Sequence, residues 1–304
     1  MNNERPPTID PQAAARWEQV LSLQSPWLHE EVARRMESRL GWILRGPQSW
    51  VNWAPLRGGR QVHAALVERY DQATCHIHEP VQAHRQTARE VFGKSRWSPA
   101  RWLGLGGAAA TPYFDLPREP VDMVWANMAL HMHADPQALI QQWHQLLKVD
   151  GFLMFSCLGP DTLREMRSMY AQAGWPACGH EFTDMHDWGD MLVHAGFAEP
   201  VMDMERITLT FGSPDTLLAE LRGLGRNLHG QRFAALRGRK WLGRLKDQIT
   251  RQLASPNEPG RYQLTFEIVY GHAFKPVPRA PVSAQTNISL QDMRSVLAKG
   301  RKAS

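Results

Sequence analysis

Apolar positions near the start of the chain recur at helical spacing, and further along they gather into short solid runs. Leu28, Val32 and Met36 fall on one face of a helix over residues 27–36, with the charged residues opposite. A weaker helix starts at about Pro11, after a polar, Pro-containing opening over residues 1–10. Trp50-Val51-Asn52-Trp53 then leads into Ala54-Pro55-Leu56-Arg57-Gly58-Gly59 and a helical pattern over 61–70. A second apolar segment, 74–78, ends on Glu79. Strand, tight turn, helix, strand and terminal acid make up the layout of a nucleotide-binding unit whose carboxylate holds a ribose.

The alternation continues. Residues 81–92 read as a crossover helix, 101–105 as a weak third strand, 121–127 as a buried strand and 136–147 as a helix. Gly151 closes a turn before a strand over 152–157, and helices follow over 161–173 and 186–195. Residues 202–211 and 262–274 read as two long strands able to pair antiparallel at a sheet edge. The pattern predicts an α/β protein with a doubly wound, mostly parallel, Rossmann-like sheet. It divides into an N-terminal helical segment (1–45), a core (46–213), a basic helical insertion (214–252), a final core strand (253–275) and a flexible basic tail (276–304). No internal repeat is present.

Composition changes this picture at two points. The net charge is +5, too small an excess to imply nucleic acid by itself. Its distribution is uneven: from Arg222 to Arg251 nine basic residues face the single acid Asp247, which points to a docking surface for an anion. Only Phe233 and Trp241 interleave as stacking residues, so an RNA- or DNA-binding platform is the weaker interpretation and a functionless basic surface the bland one. Cys75, Cys157 and Cys178 form no CxxC pair and no secretory pattern opens the chain, so the expected compartment is the cytoplasm. No run approaches the ~18 apolar residues of a membrane span.

Several candidate sites reduce to structure. His76/His78 and His131/His133 alternate as metal ligands could, but no carboxylate or cysteine cluster accompanies them. His186, between Asp184 and Asp187, belongs to a helix start. Gly104-Leu105-Gly106-Gly107 precedes small residues and Pro112 rather than a long helix, and reads as a plain turn. Glu79 is different: a ribose ligand is favoured over a strand-end surface acid because it follows the second strand.

Segments 13–17, 28–36, 121–130, 156–165, 184–187, 195–197 and 200–203 together carry a family resemblance. Gly159-Pro160-Asp161-Thr162-Leu163-Arg164 and Asp184-Met185-His186-Asp187 are its specific parts. Over residues 13–274 the chain resembles the class I S-adenosylmethionine-dependent methyltransferases, and among them the malonyl-acyl-carrier-protein O-methyltransferases of biotin synthesis. The resemblance implies S-adenosylmethionine as cofactor, held by Asn52, Ala54, Gly58, Glu79 and Asn127. It implies an acidic acyl carrier protein as partner. Trp17 stands where an N-terminal tyrosine is usual, and Arg222 and Arg226 are candidates to hold the acyl carboxylate or the phosphopantetheine. A carboxylate acceptor is already ionised, so no catalytic base is expected.

The chain also departs from the family. Ala54-Pro55-Leu56-Arg57 replaces the glycines of the cofactor loop, and Gly107 replaces the acid that contacts adenine. Two interpretations follow: a working methyltransferase, or a methyltransferase-like binding or assembly protein that kept the fold and lost the cofactor. They part on whether the loop side chains fill the crevice.

Overall fold

A computed structural model describes residues 9–21, 24–93 and 112–278. The expected third strand over 101–105, the turn at Gly104–Gly107 and most of the tail lie outside them. Ten α-helices are described: α1 (Pro11–Glu18), α2 (Trp27–Arg39), α3 (Pro55–Gly58), α4 (Gln61–Arg69), α5 (Gln82–Phe92), α6 (Pro136–Leu146), α7 (Arg164–Gln172), α8 (Met185–His194), α9 (Pro214–Leu224) and α10 (Arg239–Gln252). The strands are β1 (Ser49–Trp53), β2 (Thr74–His78), β3 (Val121–Ala126), β4 (Leu147–Leu158), β5 (Ala198–Phe211) and β6 (Tyr262–Phe274).

The strands form one sheet in the order β2-β1-β3-β4-β6-β5. From β2 to β4 the pairing is parallel, and β6 runs antiparallel to both neighbours, as the two long terminal segments predicted. Beyond β2, Tyr113 forms a parallel bridge to His76 on the outer side. The chain leaves β1 toward β2 on one side and later returns to β3 on the other. That reversal opens a crevice at the carboxyl ends of these strands, the usual ligand site of open α/β sheets.

Both faces of the sheet are covered, which explains the solid apolar runs. Trp50, Ile77, Met123 and Trp125 pack toward α2, α4 and α5, whereas Val51, Trp53, Val124 and Phe155 pack toward α6 and α8. The stripe Leu28, Val32, Met36 is fully buried, as its spacing predicts. Caps fix the helix starts: Asp135 accepts from the Ala138 amide ahead of Pro136, and Asp184 accepts from the His186 amide. The insertion is not a loose appendage. Helices α9 and α10 bury Leu217, Leu224, Leu245 and Ile249 in the main core and keep most of their basic residues outside. No helix among the described residues is long and apolar enough to cross a membrane.

Candidate active site

The turn after β1 builds the floor of the crevice. Ala54 adopts a left-handed conformation, φ 51 and ψ 47, at a cost of roughly 1–2 kcal/mol for a residue with a Cβ. Pro55 follows as the first residue of the single turn α3, where its fixed φ suits the helix and its missing N–H is no loss. The other amides are all engaged inside the protein. Ala54 N–H donates to the His78 carbonyl, Arg57 and Gly58 N–H to Ala54 and Gly59 N–H to Pro55. Leu56 N–H donates to Glu79 Oε1 at 2.9 Å.

Gly58 is required by packing. A Cβ there would lie 2.8 Å from the Asn127 carbonyl oxygen, which is backbone and cannot swing away. The Asn127 side chain completes this junction between α2, α3, β3 and β4. Its Nδ2 donates to the His29 carbonyl at 2.9 Å and, through a short contact, to the Gly58 carbonyl. Its Oδ1 accepts from Ser156 Oγ at 2.7 Å. Both amide hydrogens are thereby committed within the protein, at a position that also lines the crevice. Asn52 is not among the residues that line the crevice. The period of two along β1 places it on the same side as Trp50, where its amide meets His63 Nδ1 at 3.0 Å, away from the crevice.

The crevice is open. A cavity of about 460 Å³ lies at the switch point, within the roughly 300–1,000 Å³ range of small-molecule sites. Trp17, Ala54, Gly58, Glu79 and Asn127 all line it, joined by His29 and Arg57. Leu56 forms part of the wall, Pro55 does not, and neither closes the space. Glu79 is 5% exposed, and burial pushes its carboxyl up to about 7, against the smaller pull of the Leu56 amide, Arg57 and Arg60. His29 donates through Nδ1 to the Arg57 carbonyl at 2.9 Å, and burial lowers it to about 4, so it enters the site neutral.

A second cavity, of about 450 Å³ and mostly apolar, adjoins the first; His131, Met132 and Leu224 line both. Arg222 and Arg226 border this second space but are more open to solvent than its interior. Arg226 donates to the carbonyls of Arg222 and Gly225 and stacks on Trp17 at 5.1 Å, which places it at the junction of the two cavities. The more enclosed cation is Arg167. Its Nη1 donates to the Pro160 carbonyl, while its buried Nη2 has no acceptor among the described residues. No local pattern singles out Arg167, which shares its helix with Arg164 and lies among buried positions, Met166 and Met169, that are apolar. No group of three or more metal-ligating residues exists among the described residues.

A family model described as a methyltransferase domain matches residues 58–155. A putative methyltransferase from Bacillus halodurans superposes with a TM-score of 0.51 at 15% identity, covering 81% of this chain and 100% of that one. The YcgJ protein from Bacillus subtilis does so with a TM-score of 0.50 at 11% identity, covering 81% and 99%. The fold is thus the doubly wound α/β fold of these proteins, and the matched segment is a methyltransferase domain. Malonyl-[acyl-carrier protein] O-methyltransferases of Gallionella capsiferriformans and Laribacter hongkongensis are 37% and 35% identical to the chain. The matches cover 83% and 88% of this chain and 85% and 87% of those proteins. The chain belongs to the malonyl-[acyl-carrier protein] O-methyltransferase family.

Proposed function

We propose that this protein methylates the free carboxylate of a malonyl group carried on an acyl carrier protein, with S-adenosylmethionine as donor. The observation that carries this reading is the pairing of an open switch-point cavity, with Glu79 in its wall, and an adjoining apolar cavity that contains a cation. When bound in the first cavity, the cofactor supplies a methyl group made electrophilic by its sulfonium. Glu79 stands at the end of β2, where ribose hydroxyls can donate to it, and Trp17 and Arg57 also line the cavity.

The residues present fit this donor despite the altered loop. The interpretation in which the cofactor was lost requires a filled crevice, and the loop side chains leave it open. The acceptor carboxylate is ionised near neutral pH, so the chain contributes alignment and exclusion of water rather than a base. His131, buried and kept neutral by desolvation, borders both cavities and needs no proton-transfer role.

Arg167 is the cation best placed to hold the acceptor carboxylate. Its side chain lines the apolar cavity, and its unpaired Nη2 can reach an incoming oxygen by pivoting about the Nη1 bond to Pro160. The basic residues of the insertion, Arg222, Arg226, Arg239, Lys240, Arg244 and Arg251, suit the acidic surface of a carrier protein.

Mass spectrometry of malonyl-carrier protein incubated with enzyme and S-adenosylmethionine tests the reading. A gain of one methyl on the acyl group supports it, and an unchanged mass at high enzyme concentration refutes it. Arg167→Met is expected to raise KM for the malonyl carrier by about 10-fold or more, on the order of a charged hydrogen bond. Cofactor affinity should remain unchanged. Arg222→Ala and Arg226→Ala should instead act through association, with effects that fade as salt is added.

A further inference from the structure

The turn after β1 presents a problem that its own side chain resolves. In a glycine-rich loop the backbone amides are free to meet a carboxylate. Here Pro55 has no N–H, and the amides of Ala54, Leu56, Arg57, Gly58 and Gly59 all donate within the protein. The Arg60 amide is taken by Glu30. An anionic group entering this end of the cavity therefore finds no backbone donor in residues 54–60.

It does find a guanidinium. Arg57 lines the cavity with its side chain turned across the Trp17 ring, at 4.2 Å from the ring centre. Nη2 donates to the Val20 carbonyl at 2.6 Å. Nε is buried without an acceptor, and among the described residues no hydrogen bond takes up Nη1. Arg57 forms no ion pair within 4 Å with a carboxylate of the described residues. Burial weighs against its charged form more than the distant Glu79 and Glu18 support it, so a bound anion would relieve an under-compensated cation.

We infer that Arg57 reads the α-carboxylate at the methionine end of the cofactor, so that one side-chain cation does the work left undone by the committed amides of the turn. This rests on the cofactor reading above and makes the apparent loss of the loop an exchange of donors. The exchange has a consequence for selectivity. A set of amides recognises any anion that fits its cradle, whereas a planar guanidinium held on Trp17 selects a carboxylate by its two oxygens. Affinity at this end of the ligand then depends on one residue.

Calorimetric titration of the whole protein with S-adenosylmethionine and with its decarboxylated analogue tests this, because the two share the sulfonium nucleoside and differ in the carboxylate. The wild type is expected to favour S-adenosylmethionine by about 10- to 100-fold, the span of one charge-assisted hydrogen-bonded pair. Arg57→Met should bring S-adenosylmethionine down to the affinity of the analogue while leaving the analogue within about 3-fold, and Arg57→Lys should recover part of the preference. Equal binding of both ligands by the wild type overturns the inference without needing any variant to fold. So does a preference that survives in Arg57→Met. If neither ligand binds the wild type, the cofactor reading itself fails, and this inference with it.

Discussion

Replacing Glu79 by glutamine is expected to weaken S-adenosylmethionine binding by about 100-fold while making the ligand-free protein more stable at alkaline pH. The first effect follows from hydrogen bonding. A carboxylate can accept from the Leu56 amide and from ribose hydroxyls together, whereas the single side-chain oxygen of the Glu79→Gln variant is already claimed by Leu56. Hydrogen bonds to a charged group contribute about 1.5–3 kcal/mol each. The second effect follows from desolvation. The folded-state pKa of Glu79 is raised from 4.5 to about 7, so between these values the folded carboxyl holds a proton that the unfolded chain has released. Stability therefore falls as pH rises through that window, by up to about 3 kcal/mol, and stays low above it. A glutamine side chain does not ionise and avoids the loss. Thermal melts at pH 5 and pH 8 should show the variant gaining on the wild type only at the higher pH. Binding should follow the opposite course in the wild type: affinity climbs toward pH 7 and levels off above it, because ribose hydroxyls favour the ionised acid. The variant should give a flat profile.

Asn127→Ala is expected to be the most destabilising single change at the site, costing about 3–5 kcal/mol. It leaves the buried carbonyls of His29 and Gly58 and the hydroxyl of Ser156 without their present partner. A loss of that size corresponds to a drop in melting temperature of roughly 10 °C. Because the residue ties α2 and α3 to β3, the cavity wall should loosen with it, and cofactor affinity should fall even though the side chain donates to no ligand. A melt within a degree or two of wild type would show that the junction is not held in this way.

The sheet and its order are legible because they depend on patterns that local sequence carries. Solid apolar runs at 121–127 and 152–157, the periodic stripe on α2 and the helix start around Asp184 each declare an element without reference to the rest of the chain. Boundaries are less legible: β4 begins at Leu147 and β5 at Ala198, because single pairs with Val121 and Phe274 extend the strands across irregular polar stretches that include Lys148 and Glu199.

The site is legible in position but not in roles. Glu79 is identifiable from its place after β2, and it lines the cavity. Asn127 belongs at a strand end as expected, but its partners are 98, 69 and 29 residues away along the chain, beyond any local pattern. Size alone makes Ala54-Pro55-Leu56-Arg57 look like an obstruction. In the fold Pro55 turns out of the cavity wall, and Arg57 counts as a charge rather than as bulk. The density of basic residues in the insertion draws attention to Arg222 and Arg226, whereas enclosure favours Arg167.

Everything functional in this molecule depends on a nucleoside entering the space above β1 and β2 without a glycine loop to receive it. Calorimetry of the unmodified protein with S-adenosylmethionine at pH 7, repeated in buffers of different ionisation heat, measures affinity and proton release together. Micromolar binding that expels a fraction of a proton, as Glu79 ionises against the ribose, is the predicted result. No heat of binding at millimolar ligand would contradict it.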